Sequence, residues 1–183
     1  MPSLTEALRA MAFNNAWANH RLHAACAKLS QGAFEAGRAG FFPSIQATLN
    51  HNLIVDRFYV DALEGGTLGV AAFVERIPCP TMAMLAPAQA AVDRRLIAAC
   101  ESLDPAQMIA VVRADRVQRE RADRLLLHLF QHQVHHRGQA HAMLSDTNVA
   151  PPQLDEFFLA EEAPLRAAEF AALGWTEATV WYG

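Results

Sequence analysis

The stretch Leu125–Leu144 reads LLLHLFQHQVHHRGQAHAML and contains five of the eight histidines of the chain. Twenty residues without proline, rich in Leu, Gln, His and Ala, exceed the length of an ordinary strand and predict a helix. Because each helical residue turns the side-chain direction by about 100°, His132 and His136 point within about 40° of each other, one turn apart. The stretch is therefore predicted to be a helix whose two imidazoles can bind one ion.

Apolar neighbours distinguish this pair from the other histidines of the helix. Leu125 and Met143 project close to the bisector of the pair, so the two imidazoles are predicted to face apolar side chains rather than water. Gln139 projects at about the same angle as His132 and is a candidate to support the ligands. The other histidines of the helix project away from the bisector and are expected at the rim of the site or in supporting positions: His128, His135 and His141.

A tight metal site needs a third ligand from another element, and His51 is the best candidate. It lies in the middle of a second predicted helix, on an otherwise apolar face, where an unpartnered imidazole would be costly to bury. His20 and His23 are alternatives, but both stand beside polar residues and are expected at the surface. Asp56, one turn beyond His51, is a candidate general base, although a surface or arginine-paired carboxylate is the preferred interpretation.

Apolar periodicity and end signals predict three further long helices. The first begins at a capping box, Ser3 with Glu6, and runs to about Leu29; Asn15 interrupts its apolar stripe and either satisfies a buried hydrogen bond or faces a cavity. The second extends from Pro43–Ser44 to the Gly65–Gly66 pair. The third runs from Thr81 or Ala86 to Leu103, with Asp93, Arg94 and Arg95 in water, and the histidine helix ends near Ser145.

Four long helices with modest connections predict an all-α fold, an antiparallel four-helix bundle. Residues 67–80 form its long connection, and residues 108–121 form either a short hairpin around Ala114–Asp115 or an irregular loop. Residues 1–160 are expected to form the bundle, and residues 161–183 a C-terminal extension packed on the same domain. That extension comprises a helix, Ala163–Leu173, and an aromatic tail with Trp175, Trp181 and Tyr182.

Bulk composition excludes several classes of function. The chain has 183 residues, 52% of them hydrophobic, which is enough for one domain with a core. A net charge of −4 without a basic cluster argues against nucleic-acid binding. The absence of an uncharged apolar run of membrane-spanning length and of a secretory signal predicts a cytoplasmic protein without a membrane partner. Three scattered cysteines, Cys26, Cys79 and Cys100, are expected to be buried and free.

Several collinear motifs resemble the DinB/YfiT-like family. The segment HLFQHQVHHRGQAHAML is similar to the metal-binding helix of that family, whose pattern is close to HLFxHxxHHRGQxHxLL. NNAWANHRL resembles the opening of the family, and FFPSIQATLNHNLIVDRFYVDAL resembles the helix that supplies its first histidine. The similarity covers about residues 8–158, whereas the segment before the histidine helix matches poorly.

The resemblance implies an antiparallel four-helix bundle, often dimeric, with a divalent ion bound through three histidines that map onto His51, His132 and His136. The expected cofactor is one divalent metal ion, and zinc, nickel, iron and manganese are the candidates. Imidazole binds several of these metals, and copper as well, so the ligands alone do not identify the ion. Three neutral imidazoles leave a coordination position open, which is the pattern of catalytic sites.

Three functions are compatible with such a site. Members of the family with known activity use the ion to activate a low-molecular-weight thiol, so the first hypothesis is a transferase whose partners are a small-molecule thiol and an electrophile. The second is metal-dependent hydrolysis, but Gln133, Val134 and His135 stand where a zincin-type HExxH motif has its general base. The third is a non-catalytic metal-binding or stress-response protein. A homodimer is expected in each case.

Overall fold

A computed structural model describes residues 3–181, and the chain is mostly helical with one small sheet. Four helices are much longer than the rest: α1, α3, α4 and α5. The elements in chain order are α1 Leu4–Cys26, α2 Gln31–Glu35, α3 Ile45–Leu63, a 3-10 helix Gly69–Phe73, α4 Met82–Ser102, β1 Met108–Val112, β2 Val117–Arg121, α5 Ala122–Leu144, a 3-10 helix Ala160–Glu162, α6 Ala163–Leu173 and α7 Glu177–Trp181.

The helix ends follow local capping chemistry. The capping box at Ser3 is confirmed, because its hydroxyl accepts from the backbone N–H of Glu6 while the Glu6 side chain accepts from the Ser3 backbone. Helix α1 ends at Cys26, earlier than the predicted Leu29. The Thr81 hydroxyl caps α4, which therefore starts at the earlier of the two predicted positions. Pro87 lies within α4, where it removes one intrahelical hydrogen bond without ending the helix.

Each long helix packs against two of the others. Helix α5 contacts α1 and α3, and α4 contacts the same two helices. Apolar side chains between them are fully buried, and each stabilises the fold by roughly 1.5–3 kcal/mol through removal from water. Because α5 lies against both α3 and α1, different faces of this one helix meet different partners. The buried side chains include Trp17, Leu22, Ile45, Leu53, Leu96, Leu126 and Leu129.

The segment between α4 and α5 is a β-hairpin, so the hairpin interpretation is confirmed and the irregular loop is wrong. Its strands pair antiparallel, with Met108 opposite Arg121 and Val112 opposite Val117. Ile109 and Val111 on β1 are buried, and β1 contacts α3, so the apolar face of the hairpin covers that helix. The hairpin is an addition to the predicted all-α class.

The C-terminal segment packs against the first helix. Helix α6 ends at Leu173, as predicted, and its C-cap Gly174 has a positive φ of 74°, in the left-handed region. The Trp175 ring meets the Phe13 ring edge to face at 4.9 Å, and α6 and α7 both contact α1. Tyr182 of the predicted aromatic tail lies outside the described residues, and the predicted domain division at residue 160 stays a prediction.

Two further expectations concern chemistry and membranes. All three cysteines are buried and unpaired, as predicted. Among the described residues, none of the helices combines the length and the apolar character that crossing a lipid bilayer requires.

Candidate metal centre

Three predicted ligands meet where α5 packs on α3. His132 and His136, one turn apart on α5, have ring centroids 4.5 Å apart. The ring of His51, from the middle of α3, lies 5.0 Å from His132 and 4.8 Å from His136. One nitrogen from each residue lies within 4.8 Å of the other two, and the Nε2 atoms of His51 and His132 are 3.1 Å apart. The helix packing thus brings together all three histidines singled out from the sequence.

The geometry and charge of these side chains fit a single metal ion. Two imidazole nitrogens bound to one ion at ~2.0–2.1 Å lie roughly 3 to 4 Å apart, close to the spacing observed here. Burial, and secondarily neighbouring histidines, lower the pKa of His51 to about 4 and that of His132 to about 3; burial also lowers the pKa of His136. Neutral imidazoles are the form that binds a metal, so the three residues are positioned to bind one.

Gln139 fixes the position of the ring proton of His136. Its Oε1 lies 2.9 Å from His136 Nδ1, which therefore carries the proton and donates, leaving the Nε2 lone pair for a metal. Its Nε2 lies 3.1 Å from His135 Nε2 and donates there. The sequence prediction that Gln139 supports the ligands agrees with this contact. The Nδ1 atom of His132 is buried without a hydrogen-bond partner among residues 3–181.

An aromatic pair that the sequence interpretation missed borders the three histidines. The Phe42 ring lies 4.3 Å from the His51 ring and 5.4 Å from the His136 ring. Phe41 lies 6.1 Å from His136 and is 77% exposed. An exposed phenylalanine beside a polar site leaves apolar surface that a ligand can cover. Its only signal in the sequence was two consecutive phenylalanines before Pro43 and Ser44, the N-cap of α3.

The remaining histidines of α5 lie outside the group of three. His128 and His135 are exposed, which agrees with positions at the rim. His141 donates through Nε2 to the carbonyl oxygen of Pro152 at 2.8 Å. On α1, His20 is half-buried, whereas His23 is only 5% exposed, so the expected surface position of His23 is wrong. Neither belongs to the group with His51.

A second set of polar residues lies inside the protein, and the sequence interpretation did not identify it. Asp93, expected in water, accepts hydrogen bonds from the side-chain amides of Asn15, Asn19 and Gln89. Arg137 donates to the amide oxygens of Asn15 and Asn19, so Asn15 makes the buried hydrogen bonds that were one of its two interpretations. All four long helices contribute to this set, the buried polar cluster: Asn15, Asn19, Asp56, Gln89, Asp93, Gln133 and Arg137.

Asp56 belongs to this cluster and not to the surface. Its side chain is 0% exposed and accepts from Gln89 and Gln133, so the surface interpretation is wrong. The charge of Arg137 acts on this carboxyl without a direct hydrogen bond to it among residues 3–181. Burial, followed by the neighbouring Asp93, raises the pKa of Asp56 well above its usual value. With both oxygens engaged away from the three histidines, Asp56 is not placed to act as a general base there. Polar pairs four residues apart on three helices were the signal that could have revealed the cluster.

Comparison with protein-family models gives a match to this chain. No curated protein matches the chain. The family model described as the DinB family matches residues 1–170, which is nearly the whole chain, and the match spans all three histidines. The sequence motifs, the helical architecture and this match agree, and the chain belongs to the DinB family.

Proposed function

We propose that this protein is a metal-dependent enzyme that activates a low-molecular-weight thiol for transfer to an electrophile. In this proposal an antiparallel four-helix bundle binds one divalent ion through His51, His132 and His136. The single observation that carries it is the convergence of three imidazole nitrogens within 4.8 Å of one another. Three protein ligands leave room for a further ligand, as catalytic sites require.

The side chains around the three histidines have separate roles. His51, His132 and His136 hold the ion, and Gln139 keeps the proton of His136 on Nδ1. A divalent ion in such a site supplies a Lewis acid that lowers the pKa of a thiol. Phe41 and Phe42 provide apolar surface beside the site for the carbon skeleton of the electrophile.

Buried cysteines support a thiol that comes from outside the chain. Burial raises the pKa of Cys26 and of Cys100 to about 12, and Cys79 is also buried, so none offers an accessible thiolate. In the proposed transfer the thiol gives its proton to solvent. The sulfur–carbon bond then forms as the bond to the leaving group breaks, and the leaving group departs with that electron pair.

A non-catalytic metal-binding or stress-response protein is the second candidate. The observation that favours it is the lack of a general base beside the site, since the group of potential ligands found among residues 3–181 contains no carboxylate. Hydrolysis is a weaker proposal for the same reason: water attack needs a general base, and Asp56 is engaged inside the protein.

The activity is tested on protein purified without a metal-affinity tag. Wild type would be loaded in turn with zinc, nickel, iron and manganese, and consumption of an alkylating electrophile would be followed with a panel of cellular thiols. We expect thiol-dependent turnover with at least one metal, and its loss in His51→Ala. The matched control is His128→Ala, an exposed histidine of the same helix as His132. A bound metal without turnover for any thiol would favour the second candidate.

The predicted homodimer and the cytoplasmic location accompany this proposal. Light scattering coupled to gel filtration tests the dimer directly: a mass twice that of the 20.1 kDa chain is expected, and a monomeric mass would refute it.

A further inference from the structure

A cavity of about 280 Å³ lies between α1, α4 and the segment that follows α6. Both helices present alanines to it, Ala16 and Ala24 from α1 and Ala86 and Ala90 from α4, while Leu173 and Trp175 border it from the C-terminal side. None of its lining residues belongs to the candidate metal centre on α3 and α5. The cavity is therefore a separate feature that the proposed function does not use.

His23 gives this apolar cavity one polar anchor. Its side chain lines the cavity and is only 5% exposed, yet it makes no hydrogen bond to any residue in the range 3–181. The ring nitrogens therefore keep their hydrogen-bonding capacity for a molecule that occupies the cavity. Burial lowers the pKa of His23 to about 4, so at neutral pH the ring offers one N–H donor and one lone pair.

The other polar groups at the cavity do not compete for that role. Asp93, the second buried polar residue in the lining, already accepts from Asn15, Asn19 and Gln89. Arg94 is exposed and His20 is half-buried. A ligand that reaches the interior of the cavity therefore finds a single available polar partner.

Size and charge limit the class of ligand. A cavity of about 280 Å³ is at the lower end of small-molecule sites, so it accepts a single ring and excludes a peptide. Most of the lining is apolar, so a charged ligand would lose its hydration there, and the buried charges of Asp93 and Arg137 already act on each other. An uncharged molecule avoids that loss of hydration.

We infer that this cavity is a second binding site, which takes an uncharged, ring-sized molecule whose one hydrogen-bonding group pairs with the His23 imidazole. The apolar body of the ligand lies against the alanines of α1 and α4, beside the Trp175 indole. Phenol has this composition, and toluene has the same shape without the hydroxyl group.

The test is titration of full-length protein, with labelled histidine and tryptophan, by phenol and by toluene in the presence of EDTA, followed by NMR. We expect saturable phenol binding that shifts the His23 imidazole and Trp175 indole signals, and toluene binding that is on the order of fivefold weaker, the effect of one net hydrogen bond. Because EDTA removes metal, coordination of phenol to an ion cannot account for this binding.

Two variants locate the site. His23→Leu should bring phenol affinity down to that of toluene, and Ala90→Leu should fill the cavity and abolish binding of both. Ala98→Leu, at an exposed position on the same helix as Ala90, is the matched control and should bind phenol like wild type. Phenol affinity that is equal in wild type and Ala90→Leu, or no saturable binding of either compound to wild type, would overturn the inference.

Discussion

The candidate metal centre and the buried polar cluster use the same helix in opposite ways. His132 and His136 project from the α5 face that meets α3, while Gln133 and Arg137, one position further along, enter the cluster. In the cluster each side-chain amide nitrogen donates to an oxygen, and a cation lies among the carboxylates. In the metal centre three imidazole nitrogens converge with no carboxylate among them. Amide donors that all find an oxygen acceptor indicate a structural role, whereas converging lone pairs indicate a binding site.

Charge separates the two regions as well. Arg137 is 4% exposed, and burial lowers its pKa to about 10, so it remains a cation at neutral pH. Asp56 and Asp93 belong to the same cluster, and their negative charges raise the pKa of Arg137 and so oppose the effect of burial. The histidines of the metal centre are neutral at the same pH. Removal of a side chain should therefore affect stability in the cluster and metal affinity in the metal centre.

The largest expected effect is the loss of the buried cation. Arg137→Met would leave the Asp93 and Asp56 carboxyls without a positive partner, and we expect the free energy of unfolding to fall by about 3–5 kcal/mol. Urea denaturation measures it, with Arg124→Met, an exposed arginine of the same helix, as the control that should change by less than about 1 kcal/mol. The folded fraction of Arg137→Met should still bind metal. If the free energy of unfolding of Arg137→Met fell by as little as that of Arg124→Met, the charge of Arg137 would not stabilise the cluster.

A substitution of Gln139 tests the candidate metal centre rather than the buried polar cluster. Gln139→Leu removes the acceptor for His136 Nδ1–H, and zinc affinity should weaken by about 10- to 100-fold while stability without metal changes little. Competition with a chromophoric chelator measures the affinity, and Gln131→Leu, exposed on the same helix, is the control. Unchanged affinity in Gln139→Leu would mean that helix packing alone orients His136.

The pH dependence of stability gives the smallest expected effect. Burial raises the pKa of Asp93 to about 6, so its contribution to stability is present at low pH and is lost as pH rises through 6. The opposite dependence holds for the histidines with lowered pKa values, which are His23, His51 and His132. Their contribution to stability is lost as pH falls below about 6.5. The pH effect of Asp93 must therefore be measured as a difference between variants.

Relative to Asp93→Asn, metal-free wild type should lose about 1 kcal/mol of stability between pH 5 and pH 7. Asp115→Asn, an exposed carboxyl in the hairpin turn, should instead follow wild type at both pH values. A difference between wild type and Asp93→Asn that does not vary with pH would show that Asp93 keeps an ordinary pKa inside the cluster.

The sequence predicted the group of three histidines better than the buried polar cluster for a physical reason. Two histidines one turn apart share a face of any helix, and an isolated histidine on an apolar face, His51, indicated where the partner helix would meet them. Asp93 gave a weaker signal, because Gln89 lies one turn before it but a charged residue next to two arginines is expected in water. Its three amide donors come from α1 and from its own helix, α4, and only packing reveals that they converge on one carboxylate.

The other predictions also succeeded where a feature depends on one segment and failed where it depends on packing between segments. His23 lies near residues of α4 and of the C-terminal segment, which are distant in the sequence. The polar residues beside it in the sequence therefore gave no indication that it is buried. The long helices and their caps were predictable because capping boxes and apolar periodicity act within one segment. The hairpin was predicted only as one of two alternatives, since its short strands alternate weakly.

Zinc binding by His51→Ala, measured against wild type and His128→Ala, tests the central claim most directly. The three-histidine centre predicts one equivalent of zinc on wild type and on His128→Ala, and an affinity more than about 100-fold weaker in His51→Ala. Circular dichroism would establish that all three proteins are folded. A full equivalent of zinc on His51→Ala with unchanged affinity would contradict the account.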